Sequence, residues 1–119
     1  MKIAVTATGK DPTSQVEPRF GRAPMFLVYD TETETWEALD NQVNLQAAQG
    51  AGIQAAQQVV RSGATVLLSG HCGPRAHSVL QAAGVAIYTA VEGTVEEAVR
   101  LYRQGALTQA TGPDVQSHW

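Results

Sequence analysis

The chain has 119 residues, 44% hydrophobic and 16% charged, a balance that points to one globular domain and away from a disordered chain. Its formal net charge of -3, from eight lysines and arginines against eleven carboxylates, argues against a general nucleic-acid binder, which needs a basic stripe. The opening MKIAVTATGK lacks the apolar core of a signal peptide, and no apolar run approaches the roughly 18 residues of a membrane span, so a cytoplasmic protein without membrane contact is expected.

In chain order, Lys2 to Thr6 (KIAVT) is a short β-branched run and predicts a buried first strand. Residues 8 to 24 follow as a long irregular loop, punctuated by Asp11-Pro12, Glu17-Pro18, Gly21 and Ala23-Pro24, and loops of this length often carry function. Met25 to Asp30 (MFLVYD) and Thr35 to Asp40 (TWEALD) read as two strands of a hairpin, completing an antiparallel meander. Ile53, Ala56, Val59 and Val60 recur at helical spacing after the glycine-rich Gly50-Ala51-Gly52, and Gly63 stops that helix. Thr65 to Ser69 (TVLLS) is continuously apolar, as a strand buried on both faces should be. Pro74 opens a helix with Ala76, Val79, Leu80 and Ala83 on one face, ended by Gly84. Val85 to Tyr88 is the last strand, and Thr94 with Glu97 forms a capping-box pattern ahead of a third helix closed by Gly105.

Three meandering strands followed by two right-handed crossovers predict an α/β fold: a ribonuclease H-like mixed five-stranded sheet with helices on its faces. A single domain is expected over residues 1–106, with 107–119 as a mobile tail. Ligands of such sheets bind beyond the carboxyl ends of the parallel strands. That edge collects the loop after the first strand, the segment Asn41 to Gly52, the turn Gly70 to Pro74 and the turn Thr89 to Gly93. The shared rim therefore carries Arg19, Arg22, Arg75, His71 and Cys72, two helix N-termini with their partial positive charge, and glycines 50, 52, 70 and 73 that permit close approach to the main chain. This is a cavity for an anion, with a thiol and an imidazole at hand for soft metal.

Each candidate has a plainer alternative. Cys72, the sole cysteine, is a ligand, a nucleophile or a compact apolar side chain in a turn. A tyrosine-phosphatase nucleophile needs an arginine six residues on, where this chain has Ser78. His71 is a ligand or a hydrogen-bonded turn residue, and His77 is expected at the surface or behind the site. Arg19 and Arg22 flank Phe20-Gly21 and look placed to hold an anion rather than merely to be solvated. The glycines match neither the phosphate-loop nor the dinucleotide pattern, and KIAVT and TVLLS carry no carboxylates for two-metal nuclease chemistry.

The chain resembles the dinitrogenase iron-molybdenum cofactor biosynthesis family. The resemblance is carried by Glu17-Pro18-Arg19-Phe20-Gly21-Arg22-Ala23-Pro24 with MFLVYD, by Gly50-Ala51-Gly52-Ile53-Gln54-Ala55-Ala56, by Gly70-x-x-Gly73-Pro74 and by Gly93-Thr94-Val95-Glu96-Glu97-Ala98. It implies a ribonuclease H-like fold and a non-enzymatic carrier of metal-sulfide clusters: a molybdenum-copper sulfide cluster in the small stand-alone orange proteins, or an iron-molybdenum sulfide precursor of the nitrogenase cofactor in other members. The cluster would lie over the Arg19 to Arg22 loop and the Gly70 to Arg75 turn. Phe20 and Met25 would limit water access, and Cys72 or His71 would touch metal. A cluster donor or acceptor protein is the implied partner. The His71-Cys72 pair departs from many relatives, and it leaves open whether a cluster is ligated covalently or held by charge and shape. A thiol or redox enzyme using Cys72, and a protein-interaction module, remain the rival readings.

Overall fold

The computed structural model describes residues 1–45 and 51–113; Gly50 and the part of the expected tail after residue 113 lie outside them. Strand β1 (Lys2–Ala7) lies at the centre of a five-stranded sheet. On one side it pairs antiparallel with β2 (Met25–Asp30), which pairs antiparallel with β3 (Thr35–Asp40). On the other it pairs in parallel with β4 (Val66–Leu68), and β4 with β5 (Ala86–Tyr88). The order β3-β2-β1-β4-β5 is the expected mixed ribonuclease H-like sheet. The β2–β3 turn is set by Asp30, whose Oδ1 accepts the N–H groups of Glu32 (2.9 Å) and Thr33 (3.4 Å), an Asx-type turn closed by Glu34 at φ 57. Those donors hold the Asp30 carboxyl below its ordinary pKa.

Helices α2 (Ala51–Arg61) and α3 (Pro74–Ala82) cover one face of the sheet and α4 (Val95–Arg103) covers the other; a short turn, α1 (Gln42–Leu45), precedes α2 and was not expected. Thr94 Oγ1 accepts the Glu97 N–H at 3.3 Å, so the capping pattern opens α4 where the sequence placed it. Alternation along the strands sorts the core into two layers. Ala4, Phe26, Val28, Leu67 and Ile87 face α2 and α3. Ile3, Val5, Leu27, Val66 and Leu68 face α4.

The segment expected as a tail begins with a docked stretch. Gln109 bridges Tyr88, the Ala110 N–H donates to the Ile87 carbonyl at 2.7 Å, and Leu107 packs on the α4 layer. This stretch covers the outer edge of β5, which would otherwise present unpaired backbone groups. Among the described residues no helix is long and apolar enough to cross a membrane.

Candidate functional site

The arginine loop is fixed from below. Glu17 donates its N–H to the Thr6 carbonyl (3.0 Å) and accepts Thr6 Oγ1 at its own carbonyl (2.7 Å). Thr6 is fully buried, as is Ser69, whose Oγ lies 3.2 Å from Thr6 Oγ1 and can donate in return. The two hydroxyls follow directly on the register pair Val5–Leu68, where two central strands run out into the rim. Next, the His71 N–H donates to the Pro18 carbonyl (2.6 Å) and the Phe20 N–H to the His71 carbonyl (3.1 Å), so Arg19 and His71 pair as in a parallel ladder.

This strapping explains Gly70. A Cβ there would lie 2.5 Å from the Pro18 carbonyl oxygen and 2.6 Å from its Cα, closer than any side chain can sit against backbone. The Gly70 carbonyl in turn accepts the Ala90 N–H at 2.7 Å, so the β4–α3 turn is clasped between the arginine loop and the β5–α4 turn. Ala90 takes φ 61 to do so, a left-handed conformation that costs a residue with a Cβ about 1–2 kcal/mol.

Phe20–Arg22 forms a single 3-10 turn, with the Arg22 N–H on the Arg19 carbonyl at 3.1 Å. Arg19 is the extended N-cap of this turn and Arg22 its last residue, so the two arginines flank it. Both are exposed, whereas Phe20 and Gly21 between them are buried. The Phe20 ring meets Phe26 at 5.3 Å between centroids, inside the α2/α3 layer. Phe20 therefore supports the turn from the core rather than facing outward, and Met25, expected as a second water shield, belongs to the opposite layer. The far end of the loop is held by Asn41, fully buried, which donates its backbone N–H to the Pro24 carbonyl (2.9 Å) and Nδ2 to the Ala23 carbonyl (2.7 Å). Its Oδ1 accepts Asn44 Nδ2 at 2.6 Å, and Asn44 reaches Gln58 of α2 at 3.1 Å.

Gly73 N-caps α3 with Pro74 in its first turn and no capping side-chain hydrogen bond, and Arg75 is exposed beside it. Arg19, Arg22, His71, Gly70, Gly73 and Arg75 thus belong to adjoining loops at one sheet edge. Gly52, at the start of α2, would carry a Cβ in ordinary contact with Ala76 of α3, which marks close helix approach. His71 is half-buried. Cys72 is 0% exposed and packs with Phe20, Ala23, Leu67 and Ala76, its Sγ 3.8 Å from the Gly73 carbonyl oxygen. Of the two placements expected for His77, the surface is not the one found, since it is 6% exposed.

Sequence reasoning missed three anchors: Thr6 with Ser69, Asn41, and Glu17, whose carboxylate lies 3.7 Å from Arg19 Nε. Asn41 did carry a signal, as an asparagine between a strand and a helical stretch is a favoured cap. The donor set suits an anion held by charge. Among the described residues, no three His, Cys, Asp or Glu side chains converge to hold a metal ion.

The family model described as dinitrogenase iron-molybdenum cofactor matches residues 1–105. Among solved structures, the apo form of the orange protein from Desulfovibrio gigas is similar at 44% identity, with a TM-score of 0.93 and coverage of 96% of each chain. A NifB-like protein from Thermotoga is similar at 34% identity, with a TM-score of 0.85 and coverage of 98% of each chain. An uncharacterized protein of Methanocaldococcus jannaschii is 26% identical over 110 residues, 90% of this chain and 89% of that protein. A family match over residues 1–105 of the 119 decides the question: this chain belongs to the dinitrogenase iron-molybdenum cofactor family.

Proposed function

We propose that this protein binds and carries an anionic, molybdenum-containing metal-sulfide cluster without transforming it. The observation that carries this reading is the 3-10 turn at Arg19 to Arg22: its two arginines are exposed while the phenylalanine between them is locked into the core. Charge is presented on a support that does not have to be organised at binding, and preorganisation of this kind saves ordering cost. Arg75 and the uncapped start of α3 add positive potential from the next loop. The 44% identity to the orange protein over nearly all of both chains favours a molybdenum-copper sulfide cargo over an iron-molybdenum precursor of nitrogenase cofactor.

Arg19, Arg22, Gly70, His71, Gly73 and Arg75 form the cargo rim in this reading, with Phe20, Gly21 and Gly52 supporting it from behind; Gly50, expected beside them, lies outside the described residues. His71 is the nearer metal contact. Cys72, enclosed beneath the turn, reaches a cluster only if the Gly70 to Gly73 turn opens. The same enclosure disfavours a thiol enzyme, because a buried cysteine reacts slowly. Delivery requires a donor or acceptor protein that meets this rim.

The test is an anaerobic titration of the apoprotein with tetrathiomolybdate and copper(I), read by visible absorption and by metal analysis after desalting. A stoichiometric chromophore retained by the protein is expected. Exposed charge pairs contribute up to about 1 kcal/mol each, so replacing Arg19, Arg22 and Arg75 together by glutamine should weaken retention by on the order of 100-fold. Undiminished retention in that triple variant would overturn the reading. Retention by Cys72→Ala assigns the thiol to packing, and loss with the fold intact assigns it to metal.

A further inference from the structure

Glu17 is out of place in a site built for an anion. Its side chain is only 16% exposed, against 52% for Arg19, and one carboxylate oxygen lies 3.7 Å from Arg19 Nε and 3.4 Å from the Arg19 backbone N–H. The loop has other holds besides this carboxylate. The backbone at Glu17 is already fixed at both its N–H and its carbonyl by Thr6, and the residues on either side of Arg19, Pro18 and Phe20, are hydrogen-bonded to His71. Arg22 and Arg75 make no ion pair with a carboxylate among the described residues. One arginine of the rim is therefore partly neutralised from within, and the other two are not.

We propose that Glu17 is a built-in competitor for the cargo: its carboxylate engages Arg19 in the empty site and opposes an arriving anion, setting how readily the cargo is released. The inference rests on the reading of the rim as an anion carrier. A carrier has to let go, and a negative charge fixed beside one of its clamps shortens the residence of an anion without altering the shape of the site. Most tuning of affinity between related complexes lies in the dissociation rate, so the effect belongs there.

The experiment measures tetrathiomolybdate alone, by equilibrium absorption titration and by the rate of its release on rapid dilution. It compares wild type, Glu17→Gln, Arg19→Gln, the double variant Glu17→Gln/Arg19→Gln, and Glu37→Gln on exposed β3 as a control for net charge. Glu17→Gln should bind about three to five times more tightly, mostly through slower release, while Glu37→Gln stays at the wild-type value. In the Arg19→Gln background the gain should vanish, because the partner through which Glu17 acts is gone. A purely structural Glu17 would give weaker binding or none of this coupling, and binding unchanged or loosened by Glu17→Gln overturns the inference alone. Tetrathiomolybdate bound by neither wild type nor Glu17→Gln overturns the carrier reading and this inference together.

Discussion

The two faces of the sheet are covered by different means. The α4 face is sealed by one helix over branched side chains: Val5, Val16, Leu27, Val66, Val91, Val95 and Val99, with Tyr88 and Tyr102 at its border. The α2/α3 face mixes larger side chains such as Phe26, Leu67 and Leu80 with many small residues, Ala4, Ala23, Ala55, Ala56, Ala64, Ala76 and Cys72, which let two helices approach the sheet. Into that layer the arginine loop sends Phe20. One face closes on itself, whereas the other is finished by a residue of the site. A side chain lost from the first should cost stability alone, and one lost from the second should cost stability and cargo together.

The largest expected effect follows. Phe20→Ala removes a fully buried ring in contact with Phe26 and should destabilise by about 3–5 kcal/mol, since the alanines around it cannot expand to fill the space. Val95→Ala, equally buried on the first turn of α4, removes two methylene equivalents and should cost about 2 kcal/mol. Chemical denaturation measures both. Compared at temperatures where each is fully folded, Phe20→Ala should lose the metal-sulfide chromophore and Val95→Ala should keep it. Equal retention by the two variants would break the comparison.

The division between the faces was only half visible in the sequence. Element types and order were legible because alternation, helical spacing and the punctuation by Gly63, Gly84 and Gly105 are local properties. The continuous apolar TVLLS located the central parallel strand for the same reason, although the ladder proper is one residue shorter at each end. The loops that meet at the rim followed from topology alone. What each side chain does there depends on partners far off in the chain: Thr6 on Ser69, Asn41 on Ala23, Gly70 on Pro18. Phe20 beside two arginines read as a residue limiting water access to the cargo, and only its meeting with Phe26 makes it core. Cys72 carried the chemistry of a ligand in its neighbours, but the main chain of the turn folds it inward.

Gly70→Ala probes the same coupling from the backbone side, with a smaller expected cost of about 1–3 kcal/mol. The added methyl has nowhere to go but against the Pro18 carbonyl, so relief requires the arginine loop to lift off the β4–α3 turn. Hydrogen exchange should then report loss of protection at the His71 and Phe20 amides, which make the two straps. Protection unchanged at both amides would mean that the strain is absorbed elsewhere and the loops are less tightly joined than their hydrogen bonds imply. Cys72→Ala, which leaves the backbone untouched, should cost only about 1 kcal/mol and leave those amides protected.

The smallest expected effect belongs to the closed face and concerns pH. Tyr102 on α4 stands edge-on to Tyr88 with ring centroids 5.1 Å apart, and burial, with Tyr88 adding to it, lifts its phenol above the ordinary value of 10.0. The folded state thus holds this proton to higher pH than the unfolded chain does. Its contribution to stability is complete below pH 10.0 and is lost as pH rises through the folded value. Because Tyr102 is only partly buried, the slope is shallow. Melting temperature measured from pH 8 to pH 11 should fall at the alkaline end in wild type and fall less in Tyr102→Phe, which keeps the ring and removes the titrating group. An identical alkaline fall in the two proteins would move that sensitivity away from Tyr102 and the α4 layer.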